Sequence, residues 1–227
     1  MGADRGREGG AQSYLPSRGG VAALRRAAAD CRGCPLYENA TQTVFGDGPA
    51  HARTVVVGEQ PGDQEDRAGE PFVGPAGHLL REALAEAEVD EREVYFTNAV
   101  KHFKFTSAGE GKRRIHKAPG LREMTACRPW LSEELRRVDP ELVVVLGATA
   151  GKSVLGNSFK VTESRGTLLY LPVTGLPTAA RAAQEDDGPA RGLVATVHPS
   201  AVLRAPDRAQ AYQGLGADLR VAARFLR

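Results

Sequence analysis

The chain has 227 residues, 41% hydrophobic and 26% charged, which suits one large domain with a sizeable core and short tails. A formal net charge of only +2 excludes binding nucleic acid through overall charge, so any such attraction must come from local clusters. No apolar run is long enough to span a membrane and no hydrophobic signal region opens the chain, so a cytoplasmic protein is expected.

Residues 1–20 are Gly-rich, charged and short of core formers, and are expected to be disordered, with a single domain over 21–227. The pattern turns helical at Val21 in "VAALRRAAAD" and runs into Cys31. "TVVVG" (54–58) has the composition of a buried parallel strand and opens into the loop "GEQPGDQEDRAGEPFVGPAG". "HLLREALAEAEV" is helical, "VYFTNAV" (94–100) is a strand, and a long basic loop follows as an insertion at about 104–120. "LREMTACRPWLSEELRRV" is an amphipathic helix. "LVVVLG" (142–147), "TLLYLP" and "LVATV" (193–197) are further strands, the last two separated by a Pro- and Gly-rich excursion over 174–192. Residues 206–227 close the chain as a helix. This alternation predicts an α/β fold with a mostly parallel sheet and helices on both faces, whose ligands bind beyond the carboxyl ends of the strands.

Several groups of residues stand at such ends. "GATAGKS" resembles a phosphate loop, but only three residues separate its glycines where four are needed, so it reads as a glycine turn into a helix. Three cysteines are odd in number and too few for a disulfide framework. Cys31 and Cys34 of "CRGC", with Cys127 and His102, could complete a four-coordinate site for zinc or an iron–sulfur cluster; the alternative is buried small residues and an unrelated histidine. Glu59, Gln60, Asp63, Glu65 and Asp66 crowd the first strand end, among glycines that let the backbone approach a flat ligand, and Phe72 offers a stacking face. The competing reading is a solvated acidic turn with Phe72 in the core. Asn98 ends the second strand, while "VHPSAVLR" brings His198, Ser200 and Arg204 to another; an amide and an imidazole suit the edge of a nucleobase. Finally, "GKRRIHKAPG" sets His116 among Lys112, Arg113, Arg114 and Lys117. Such a loop is in general a phosphate grip, but the central imidazole points to chemistry on what the phosphates belong to.

The stretches "GEQPGDQEDRAGEPFVGPAGHLL", "TNAVKHFKF", "ACRPWL" and "VHPSAVLR" together resemble the iron–sulfur uracil-DNA glycosylases, from about Cys31 to the C-terminus, and "GKRRIHK" resembles the insertion of their UdgX branch. The resemblance implies a three-layer α/β/α sandwich with a [4Fe–4S] cluster on Cys31, Cys34 and Cys127, and His102 where a fourth cysteine usually stands. It implies that Phe72 stacks on uracil, Asn98 reads its edge with Asp63 in the same pocket, and His198 stabilises charge on the departing base. Glu59 and Gln60 would be the acid–base and polarising pair.

UdgX proteins stay covalently joined to uracil-containing DNA through the histidine of this insertion, so the resemblance implies attack by His116 on C1′ and a single turnover. The neighbouring cations are expected to keep His116 unprotonated and, with Ser200 and Arg204, to hold phosphates, while Glu59 takes up the proton. The expected partner of this monomer is uracil-containing DNA, preferably single-stranded. An ordinary multiple-turnover glycosylase and a non-catalytic single-strand binder are the alternatives.

Overall fold

The computed structural model describes residues 10–107, 109, 113–171 and 191–227. Helix α1 (Val21–Ala28) precedes β1 (Thr54–Gly58), followed by α2 (Asp63–Ala68), α3 (Pro75–Glu86) and β2 (Val94–Asn98). Two short strands come next, β3 (Phe105–Ser107) and β4 (Arg114–His116), then α4 (Leu121–Val138), β5 (Leu142–Leu146), α5 (Gly147–Leu155) and α6 (Val161–Ser164). The chain ends with β6 (Leu168–Leu171), β7 (Arg191–Thr196), α7 (Pro199–Leu203) and α8 (Arg208–Phe225).

The main sheet has the order β2–β1–β5–β7–β6, parallel throughout except for β6 against β7. Every residue of β1, β2, β5 and β7 is buried, as a parallel sheet covered on both faces requires. Alternate residues feed two separate cores. Val55, Val57, Val143 and Val145 pack with α1, α4 and α5, while Val56, Val144 and Val194 pack with α3 and α8. This is a three-layer α/β/α sandwich, as expected. Among the described residues, no helix is long and apolar enough to cross a membrane.

Three local expectations change. Residues 10–20, read as part of a disordered tail, include a 3-10 turn at Gly10–Tyr14 whose Ala11 is buried in the core beside Cys31 and Cys127. The loop after β1 contains helix α2, stabilised at its start by Glu65, which accepts hydrogen bonds from the backbone N–H groups of Gly62 and Gly74 at 3.1 and 2.8 Å. The basic loop is an antiparallel hairpin in which Phe105 faces His116 and Ser107 faces Arg114. Lys112, and the 174–192 excursion up to residue 190, lie outside the described residues.

Candidate active site

Beyond the carboxyl ends of β1, β2, β5 and β7 lies a pocket of about 520 Å³, lined by residues including Glu59, Phe72, Asn98, His116, Thr149 and His198. Its walls depend on two close approaches. A Cβ at Gly58 would lie 2.3 Å from Asn98 Oδ1 and 2.7 Å from Phe72 Cζ. One at Gly77 would lie 1.9 Å from the Phe72 carbonyl oxygen. These glycines therefore serve the packing of the pocket's own wall, where the sequence had them approaching the ligand. Phe72 itself sits at φ 58, a left-handed conformation rare for an aromatic residue, with its ring 5.7 Å from that of Phe96. It is buried, so it forms a pocket wall and not an exposed stacking platform.

Asn98 is 3% exposed, and its side-chain amide makes no hydrogen bond among the described residues. A buried, unspent amide at a pocket wall is ready for a polar ligand edge. His198 caps α7, and its Nδ1 accepts from the Ser200 backbone N–H at 3.2 Å and lies 2.9 Å from Ser200 Oγ. With Nδ1 as acceptor, the neutral ring carries its proton on Nε2. Burial lowers the His198 pKa to about 4, with neighbouring His116 and Arg204 adding to the shift, so the ring is a neutral donor at physiological pH. Ser200, expected on phosphate, spends its hydroxyl orienting His198. Arg204 is exposed at the rim and remains suited to a phosphate.

His116 closes β4 with its side chain 49% exposed and Nε2 3.4 Å from Glu59 Oε1. Its pKa lies below the ordinary 6.5, chiefly through burial; Glu59 opposes the shift and Arg204 adds to it. The expectation that the loop's cations keep the imidazole neutral is thus replaced by desolvation and Arg204. Arg113 and Lys117 are exposed and form no ion pair among the described residues, as phosphate contacts require.

Arg114 does something else. Its side chain, only 12% exposed, pairs with Asp63 and with Asp66, the latter at 2.6 Å, and its guanidinium lies 5.3 Å from the Phe103 ring and 4.9 Å from that of Phe105. This corrects two expectations: Arg114 latches the hairpin onto α2 and grips no phosphate, and Asp63 faces Arg114 and Arg67 outside the pocket. The Asp63 carboxyl is held below its ordinary range; burial opposes this, and the two arginines outweigh it. Gln60, expected to polarise the base, is likewise occupied. Its Nε2 donates to the carbonyls of Lys104 and Lys117 at 3.2 and 3.0 Å, and its Oε1 accepts from the Lys104 N–H at 3.1 Å, so it clips both ends of the hairpin.

Cys31, Cys34 and Cys127 are buried, free thiols gathered where α1 and α4 meet. The Trp130 indole N–H donates to Cys31 Sγ at 3.3 Å, and the Lys101 backbone N–H to Cys127 Sγ at 3.2 Å. Donors of this kind stabilise ligating thiolates. Burial pushes the Cys127 thiol up to about 12, with Lys101 opposing and the other two cysteines adding. Among the described residues, no three His, Cys, Asp or Glu are arranged to hold a single metal ion. Three buried thiols, two of which accept these N–H hydrogen bonds, are a donor set suited to an iron–sulfur cluster, which binds each thiolate to a different iron. His102 is buried with its pKa lowered to about 4 by that burial, hence neutral as a ligand must be. Its Nε2 meets Thr43 Oγ1 at 2.9 Å, which leaves Nδ1 as the nitrogen with which it could ligate.

A family model described as the Uracil DNA glycosylase superfamily matches residues 45–220. The Type-4 uracil-DNA glycosylase of Thermotoga maritima is 34% identical over 77% of this chain and 78% of its own. That of Pyrobaculum aerophilum is 33% identical, over 78% and 81% of the two chains, and that of Sulfurisphaera tokodaii 36%, over 60% of each.

Proposed function

Because the chain belongs to the uracil DNA glycosylase superfamily, we propose that its pocket excises uracil from DNA, preferably single-stranded, and that His116 then captures the sugar. The protein would act as a monomer in the cytoplasm, once per molecule. The observation that supports the capture step is the setting of His116: an imidazole disposed to be neutral, facing a carboxylate, in the same pocket as the neutral donor His198.

A flipped uracil would lie against Phe72, with its edge on the Asn98 amide. Cleavage of the bond between C1′ and the base sends the electron pair out on uracil, whose developing anion His198 Nε2–H stabilises. The sugar cation left at C1′ is then open to the nearest nucleophile. One ring nitrogen of His116 supplies its lone pair to C1′, and the proton on the other passes to Glu59. Arg113, Lys117 and Arg204 would hold the flanking phosphates. A [4Fe–4S] cluster on Cys31, Cys34, Cys127 and His102 would cross-link the α1 region to α4 and supply no step of the excision. Iron with broad visible absorbance in the purified protein is expected, and stoichiometric zinc would refute the assignment.

The test is a denaturing gel of the protein with a uracil-containing oligonucleotide and a thymine control. A uracil-dependent band that survives SDS and heat is expected. His116→Ser should abolish it and release free uracil and abasic DNA in excess of protein. Free uracil from the unaltered protein without any such band would make it an ordinary hydrolysing glycosylase.

A further inference from the structure

The turn "GATAGKS" forms no phosphate loop, yet it puts a hydroxyl on the reacting side of the pocket. Thr149 stands in the first turn of α5, and its Oγ1 donates to Glu59 Oε2. The other carboxylate oxygen, Oε1, is the one 3.4 Å from His116 Nε2. Both residues line the pocket, and Glu59 follows directly on β1. The amino-terminal end of α5 has no side-chain cap of its own, so its open N–H groups also favour a carboxylate at this spot. A free glutamate side chain could present either oxygen, or neither, to the imidazole; a single hydrogen bond to Oε2 removes that freedom.

We propose that Thr149 is a positioning residue for capture: it holds Glu59 by one oxygen so that the other receives the proton His116 loses when it bonds C1′. This rests on the capture reading above. Thr149 touches neither base nor sugar in this scheme. It governs how often the sugar cation ends on His116 and how often on water.

The experiment measures, in single-turnover reactions on a uracil-containing oligonucleotide, the fraction of excised uracil that ends as covalent adduct. Thr149→Val keeps the shape and loses the hydroxyl, while Thr149→Ser keeps the hydroxyl. The expected result is a fall of about tenfold for Thr149→Val, the worth of one such hydrogen bond, with Thr149→Ser within about threefold of the unaltered protein. In a Glu59→Gln background, Thr149→Val should change the fraction no further, because it acts through Glu59. Equal capture by Thr149→Val, equal loss in Val and Ser, or a full additional loss in the Glu59→Gln background would each overturn the role of Thr149. Unaltered protein that releases uracil without adduct would overturn the capture reading itself, a failure seen before any Thr149 variant is compared. Melting curves of both variants accompany the assay, and a Thr149→Val protein that is unfolded at the assay temperature would make Thr149 a fold residue and refute the proposal.

Discussion

Two imidazoles share the pocket, and burial lowers the proton affinity of both, with different consequences. In the proposed reaction His198 donates, which its neutral Nε2–H tautomer can do, and His116 attacks, which only its unprotonated form can. A lowered pKa means that His116 stays neutral as the pH drops through 6.5 and gains its proton only below it. The acid limb of the capture rate should therefore fall below pH 6.5, and His198, at about 4, does not limit that window. Rates of adduct formation between pH 4.5 and 8 check this; a midpoint at or above 6.5 would mean that the Glu59 charge outweighs burial. Glu59, Asn98 and His198 line the pocket because each stands at or just past a strand end, where the chain itself delivers side chains to the crevice, while Phe72 enters it from the turn between α2 and α3. Gln60, which also lines the pocket, and Asp63 and Arg114, which do not, stand in the same motifs but have hydrogen-bond partners the sequence does not show, because what a polar side chain bonds is decided by segments distant in sequence. Gln60 meets Lys104 and Lys117, and Arg114 meets Asp63 and Asp66.

At the scale of elements, the strands declared themselves by continuous apolar runs, but the hairpin and α2 did not. Three-residue strands are too short for period-two alternation to show, and "DQEDRA" has no apolar stripe because α2 is held by its Glu65 cap and by charge. Yet these two elements decide where His116 stands. Arg114 ties the hairpin to α2, Asp66 also accepts from the Thr41 N–H at 3.0 Å, and Gln60 clips the hairpin's base to the end of β1. His116, the proposed nucleophile, is thus carried on an appendage that touches the sheet at few points. Arg114→Met should leave Phe72, Asn98 and His198 in place while freeing the hairpin and stranding buried Asp66. Uracil excision is expected to stay within about threefold of the unaltered protein, and adduct formation to drop by about a hundredfold, the scale of a 1 Å misplacement. Quantifying free uracil and adduct in the same reaction separates the two. A parallel loss of both would place Arg114 in the stability of the whole pocket.

Across the whole molecule, the pocket and the cysteines are parts of one interior. Lys101 and Glu134 are both fully buried, and they face each other between the sheet and α4. The Lys101 ammonium also donates to Thr97 Oγ1 and, at 2.8 Å, to the backbone carbonyl of Asn98, while its own N–H holds Cys127. Glu134 accepts in turn from the Tyr95 hydroxyl at 2.9 Å and the Gly46 N–H at 3.2 Å. One buried charge pair therefore joins Asn98, the proposed reader of the base, to Cys127, a proposed cluster ligand. Removing one member leaves the other buried without its partner, which costs about 3–5 kcal/mol; removing both in favour of apolar groups of similar size costs far less. Lys101→Met alone should lower the melting temperature by about 10 °C for a chain of this size, at about 2–4 °C per kcal/mol. Lys101→Met with Glu134→Leu should recover a large part of that loss, measured by calorimetry on the purified proteins. The double variant still lacks the ammonium at the Asn98 carbonyl, so its uracil affinity should remain weakened although its fold is restored. Recovery of stability and affinity together would mean that the pair stabilises the interior without positioning Asn98.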